Sequence, residues 1–239
     1  MYLLESVCLV LPTYREKETI RQTILNFQKL NVIDQIIVVN NNAEIGTSEQ
    51  LIGLDVIEIH ETKQGYGAAI KAGILNSKHD LIVVCEPDGT FVPADLNKLL
   101  PFTDKCDLVL GSRTVSNYIW TGANMNYFLR FGNWSVAKLV ELLFNGPSMS
   151  DVGCTFRILR REFAKKTTDD RFSEDGTFGL EQQVFCLKLG LSLVQVPVNY
   201  LARIGESTYS GSFRKVVRLG LSMILRILLM RLGFLRAQR

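Results

Sequence analysis

Short unbroken apolar runs recur along this chain, and each stops at a polar or glycine-containing turn. Val7-Cys-Leu-Val-Leu-Pro12 passes into Thr13-Tyr14-Arg15-Glu16, and Leu81-Ile-Val-Val-Cys85 stops at Glu86-Pro-Asp88-Gly89. Residues 35–39, 56–59, 107–113 and 193–200 repeat the pattern. Apolar runs without polar alternation belong to strands covered on both faces. Helical stretches lie between them: 16–30, with Ile20, Ile24 and Phe27 on one face, then 68–76, 95–101, 126–144 and 182–189. Strands alternating with helices predict an α/β fold, a mostly parallel sheet flanked by helices. Residues 149–157 return to extended structure, and Pro197 suits an edge strand. With no repeat or linker, one domain is expected over 1–212, followed by a distinct segment, 213–239.

Apolar residues make up 47% and charged residues 21%, so a large core is available and global disorder is excluded. A net charge of +3 does not argue for nucleic acid. Five cysteines without a CxxC spacing predict reduced thiols and a cytoplasmic protein. No signal peptide is expected, and no apolar run reaches the roughly 18–20 residues that cross a bilayer.

Glu86 and Asp88 follow a buried strand, and in open α/β sheets ligands gather beyond the carboxyl ends of strands. Two carboxylates there are hard oxygen ligands suited to Mg²⁺ or Mn²⁺, and such an ion could hold a diphosphate. The plainer alternative is an acidic, solvated turn. Gly65-x-Gly67 before a helix has two readings as well. It is an anion-binding helix start, or a turn that lets another backbone come close.

Taken in order, these segments resemble the family 2 glycosyltransferases. Leu11-Pro-Thr-Tyr-Arg-Glu-Lys-Glu-Thr-Ile20 is similar to that family's opening P-x-Y/F-N-E-x-x-x-I. Asn40 to Asn42 occupies the place of its Asp-Asp-Gly, Gln64 to Gly73 that of its G-x-G-x-A-x-x-x-G helix, and Glu86-Pro-Asp88 that of its Asp-x-Asp. Gly111-Ser-Arg113, Asp151 to Arg157 and Arg203-x-Gly-Glu-Ser207 resemble later landmarks of the dolichyl-phosphate mannosyltransferase-like branch. The resemblance spans residues 5–210 and implies a GT-A (Rossmann-like) fold. It also implies inverting transfer from a nucleotide-diphosphate sugar to a polyprenyl phosphate, with Mg²⁺ or Mn²⁺.

Carried over by position, Pro12, Tyr14, Glu16, Asn41 and Lys71 would hold the donor, with Arg113. Glu86 and Asp88 would hold the metal, and Asp151, Arg157, Arg203 and Ser207 would serve the acceptor and its phosphate. Asp88, Arg157 and Glu181 would be catalytic. Arg forks suit phosphate oxygens. A hydroxyl acceptor would require a carboxylate base, Glu181 or Asp175, whereas a phosphate monoester is already ionised. Glu86 replaces the first Asp of the family's pair, the Asn triplet replaces acids, and Thr208 stands where Lys is common after Ser207. Two other functions remain open: transfer to a hydroxyl of a glycan or small molecule, and a non-catalytic nucleotide-sugar or membrane-binding protein.

Residues 213–235 read as a basic amphipathic helix. Arg214, Lys215, Arg218, Ser222 and Arg226 form a polar arc, and Val216, Leu219, Met223, Ile227 and Met230 lie opposite. Such a helix suits a membrane interface at the cytoplasmic face. Packing on the domain, or pairing in a homodimer, are the alternatives.

Overall fold

A computed structural model describes residues 5–205 and 213–233, the side chain of Phe213 excepted. Seven strands, β1 (Val7–Thr13), β2 (Gln35–Asn40), β3 (Ile57–His60), β4 (Leu81–Val84), β5 (Leu108–Ser112), β6 (Arg157–Arg160) and β7 (Leu193–Pro197), form one sheet in the order β3-β2-β1-β4-β6-β5-β7. Every neighbouring pair is parallel except the two made by β6. β7 lies at an edge and ends on Pro197, where the missing N–H costs no ladder bond.

The helices are α1 (Lys17–Gln28), α2 (Tyr66–Asn76), α3 (Leu96–Leu99), α4 (Tyr127–Phe144), α5 (Arg161–Lys165), α6 (Phe178–Lys188) and α7 (Phe213–Leu232). They cover both sheet faces, because successive strand residues point to opposite sides. Leu9, Leu11 and Val38 pack with Ile20, Ile24 and Phe27 of α1. Val10, Ile37 and Ile82 pack on the other side with Ile70, Ala137 and Phe185, from α2, α4 and α6. Asn126 caps α4 by accepting from the Leu129 N–H at 2.9 Å, and Asn145, in the left-handed region at φ 51°, ends it.

The reversed strand fixes the site. Because β6 is antiparallel to β4 and β5, its first residue lies at their carboxyl ends. Arg157 is therefore paired with Val84 and Leu110. No alternation of the sequence marks that reversal.

The last helix corrects one expectation. Its apolar arc does not face outward: Met223, Ile227 and Met230 are buried in the core shared with α4 and α6, with Leu219 packed against it. The Lys188 ammonium donates to the Met230 carbonyl at 2.9 Å, and Arg226 pairs with Glu181 at 3.0 Å. A different stripe is left exposed, namely Leu221, Leu225, Leu228 and Leu232. Among the described residues, no helix is long and apolar enough to cross a membrane.

Candidate active site

Three carboxylates and one guanidinium meet beyond the ends of β1 and β4. Asp88 is buried. Its Oδ1 accepts from the Thr90 N–H at 2.9 Å and the Thr90 hydroxyl at 2.6 Å, and its Oδ2 accepts from Arg203 Nη1 at 2.8 Å. Arg203 Nη2 donates to Glu16 Oε1 at 2.7 Å, and Nη1 lies 3.8 Å from Glu86. Glu16 Oε2 accepts from the N–H groups of Tyr14 at 2.7 Å and Arg15 at 2.9 Å, which fixes the turn after β1. Burial, then the adjacent Asp88 charge, pushes the Glu86 carboxyl up to about 8, with Arg203 opposing. A single cation thus neutralises a set of hard oxygen donors. Among the described residues no group of three or more His, Cys, Asp or Glu side chains is arranged to hold a metal ion, so Glu86 and the second oxygen of Asp88 could take a divalent ion only together with ligands from outside the protein.

Two further arginines stand at the same edge. Arg113, just past β5, grips Asp151 through Nε and Nη2, each at 2.9 Å, and lies over the Tyr200 ring, 5.3 Å from its centroid. Asp151 serves here to hold Arg113. Arg157 is among the largest fully buried side chains. Among the described residues its Nε and Nη2 have no hydrogen-bond partner, and neither has the Tyr66 hydroxyl. Tyr66 presents its ring at 5.9 Å to this guanidinium. A Cβ on Gly179 would come within 2.8 Å of Arg157 Nη1, so a side chain there would push the guanidinium aside. A buried guanidinium without a counter-ion is costly, and its natural complement is an anion from outside.

The glycine turn has the packing role rather than the anion role. The N–H groups of Gly67 and Ala68 donate to the Glu174 carbonyl at 2.8 and 3.3 Å. A Cβ on Gly67 would meet the Ser173 carbonyl oxygen at 2.5 Å. The helix start is already occupied by protein.

The comparisons with known proteins follow the same lines. The description "Glycosyl transferase family 2" matches residues 8–168. The chain belongs to glycosyl transferase family 2. It is 26% identical to the undecaprenyl-phosphate mannosyltransferase of Micrococcus luteus, over 86% of this chain and 88% of that one. It is 27% identical to the polyprenol monophosphomannose synthase of Mycolicibacterium smegmatis, over 85% and 80%. In fold it is similar to glucosyl-3-phosphoglycerate synthase from Mycobacterium tuberculosis, solved with Mn²⁺ and UDP. That likeness has a TM-score of 0.70 at 16% identity and covers 96% of this chain and 80% of that one. The fold is GT-A.

Within this glycosyltransferase the remaining expected residues divide. Pro12 is buried in β1, and half-buried Tyr14 follows it at the crevice. Asn41 spends its amide N–H groups on the Glu61 and Lys63 carbonyls, at 2.9 and 2.8 Å, and its oxygen on the Gly65 N–H at 2.8 Å. Lys71 donates to the carbonyls of Asp169 and Phe172 at 3.0 and 2.6 Å. Asn41 and Lys71 therefore brace loops around the crevice. Glu181 is buried, accepts from the Ser173 N–H at 2.7 Å and pairs with Arg226, so it sits in the seam between α6 and α7. Burial pushes its carboxyl up, opposed by Ser173 and Arg226. Asp175 accepts from the Thr177 N–H at 2.8 Å before α6. Ser207 and Thr208 lie outside the described residues. Thr90, Tyr66 and Tyr200 were not legible as site residues. Thr90, two places beyond Asp88, carried the only local signal, that of an Asx turn.

Proposed function

We propose that this glycosyltransferase moves a hexose, with inversion, from a nucleotide-diphosphate sugar to a polyprenyl phosphate at a membrane surface. The observation that carries the reading is the orphaned Arg157 guanidinium, buried at the carboxyl edge of the sheet beside Tyr66. It calls for a phosphate, and the names of the relatives from Micrococcus luteus and Mycolicibacterium smegmatis specify lipid phosphates. A phosphate monoester attacks without a general base. That accords with Glu181 and Asp175 being committed to neighbouring backbone. Arg157 and Arg113 orient anionic oxygens, and the Asp151 carboxylate keeps Arg113 aimed. Glu86 and Asp88 would hold Mg²⁺ or Mn²⁺, which when bound supplies Lewis-acid stabilisation of the leaving diphosphate.

The surface offered to a membrane is not the buried arc of α7 but its opposite stripe. Leu221, Leu225, Leu228 and Leu232 are exposed on α7, near exposed Arg214 and Arg218. The first turns of α4, the helix packed against it, expose Tyr127, Phe131 and Trp134. Apolar side chains fringed by bases suit the cytoplasmic face of an anionic bilayer. Residues 213–233 carry five basic residues and no acid, which opposes self-pairing of this helix.

The test is organic extraction after incubation with Mn²⁺, labelled nucleotide sugars and a short-chain polyprenyl phosphate. Label should enter the organic phase, and Asp88→Asn should abolish it. Nucleoside diphosphate released without extractable label would instead favour a hydroxyl acceptor. No release with any donor would favour a non-catalytic binding protein.

A further inference from the structure

Asp88 has only one oxygen to offer a metal. Oδ1 is bound by both the N–H and the hydroxyl of Thr90, at 2.9 and 2.6 Å. Oδ2 is taken by Arg203 Nη1 at 2.8 Å. A divalent ion on Asp88 and the Arg203 guanidinium therefore compete for one atom, and the two charges repel at that range. Glu86, the other expected ligand, lies 3.8 Å from the same Arg203 Nη1.

The backbone beside Arg203 is tied to the same loop as Asp88. The Ile204 N–H donates to the Asp88 carbonyl at 3.1 Å, and the Leu201 N–H to the Thr90 carbonyl at 2.8 Å. A displaced guanidinium would thus swing on its side chain while its backbone stayed at the crevice. It needs a new anion there. Glu16 already receives Nη2 at 2.7 Å, and Glu16 Oε2 is filled by the turn after β1. The anion that arrives with the metal is a diphosphate.

We infer that Arg203 is a tethered counter-ion that excludes bare divalent metal from Asp88, so that metal and nucleotide bind as a coupled pair. This rests on the proposed metal role of Glu86 and Asp88. The metal ion is then not a permanent resident. It enters with the diphosphate, and Arg203 moves from Asp88 to the phosphate oxygens as it does so. The nucleotide would gain an arginine contact at the moment that the carboxylates gain the metal, and neither partner would hold its place well alone.

The test measures binding of Mn²⁺ by electron paramagnetic resonance, with and without UDP or GDP, using the full chain. The unaltered protein should bind bare Mn²⁺ weakly. Arg203→Met should bind bare Mn²⁺ at least tenfold more tightly, and Arg203→Met/Asp88→Asn should lose that gain. Arg203→Lys, which keeps one charge but lacks the fork, should fall between and guards against misfolding of the Met variant. Bare Mn²⁺ binding unchanged or weaker in both Arg203 variants, while Mn²⁺ with nucleotide still binds, would overturn the inference and leave the metal assignment standing. No protein-bound Mn²⁺ in any form, with or without nucleotide, would overturn both.

Discussion

Arg113 and Asp151 are joined at two points, Nε to Oδ2 and Nη2 to Oδ1, each at 2.9 Å, and the Arg113 N–H reaches the same carboxylate at 2.9 Å. The pair links the end of β5 to the loop that leads into β6. Burial acts to raise the Asp151 carboxyl, but the Arg113 charge and the hydrogen bonds from Arg113 and Gly153 outweigh it and hold it below the ordinary value. A depressed carboxylate stabilises the fold above its unfolded value of 3.8 and loses that contribution as pH falls through the lower folded value. Asp151→Asn leaves Arg113 half-buried without its counter-charge and should cost about 3–5 kcal/mol. Urea unfolding at pH 7 checks this, and the gap between variant and parent should narrow in strong acid.

Glu86 gives the opposite pH dependence. With its folded value at about 8 against 4.5 unfolded, its stabilising contribution is present below 4.5 and is lost as pH rises through about 8. The metal-free protein should therefore melt progressively lower between those limits, and Glu86→Gln should remove most of that slope. Binding of Mn²⁺ with nucleotide must displace the same proton. It should strengthen as pH is raised toward 8, with proton uptake by buffers of different ionisation enthalpy as the calorimetric readout.

Gly67 is a packing position. Gly67→Ala drives a methyl into the Ser173 carbonyl oxygen, 2.5 Å from the Cβ position, and should destabilise by about 1–3 kcal/mol. If the turn were instead a phosphate cradle, nucleotide affinity would fall while the urea midpoint stayed put. The contact with the 173–174 backbone predicts that the midpoint falls.

Glu181 separates the acceptors. It is buried and paired with Arg226 of α7, so Glu181→Gln should lower the melting temperature while reducing transfer to a phosphate acceptor far less than the ~100-fold or more that loss of a general base costs. A loss of a thousandfold, measured with saturating acceptor, would restore the carboxylate as a base and point to a hydroxyl acceptor.

The exposed face of α7 can be told from its buried face. Leu221→Gln/Leu225→Gln should reduce co-sedimentation with anionic vesicles at unchanged melting temperature, since both side chains are exposed. Ile227→Gln should instead lower the melting temperature, because Ile227 lies in the core. Equal vesicle binding by the double variant and its parent would reject this surface.

The apolar runs of β1, β2 and β4 made the parallel half of the sheet legible, because burial on both faces writes itself into composition. Glu86 and Asp88 were legible for the same reason, as charge at the end of such a run. The reversal of β6 was not, since Arg157-Ile-Leu-Arg160 has no signature of direction. Nor was the α7 face: the sequence shows an apolar arc but not whether α4 and α6 or a bilayer covers it. Asn41 and Lys71 looked chemical by position, yet their hydrogen bonds run to backbone carbonyls distant in sequence, which no local pattern records.

Arg157 opens β6, so its position is set by the ladder rather than by a loop. Its pairing with Val84 and Leu110 ties the guanidinium to strands at the centre of the sheet. The segment in front of it is held as firmly from 149 on, where Met149, Asp151, Val152, Cys154 and Phe156 are buried. The guanidinium is thus clamped from two directions, and an anion that reaches it meets a charge that cannot retreat.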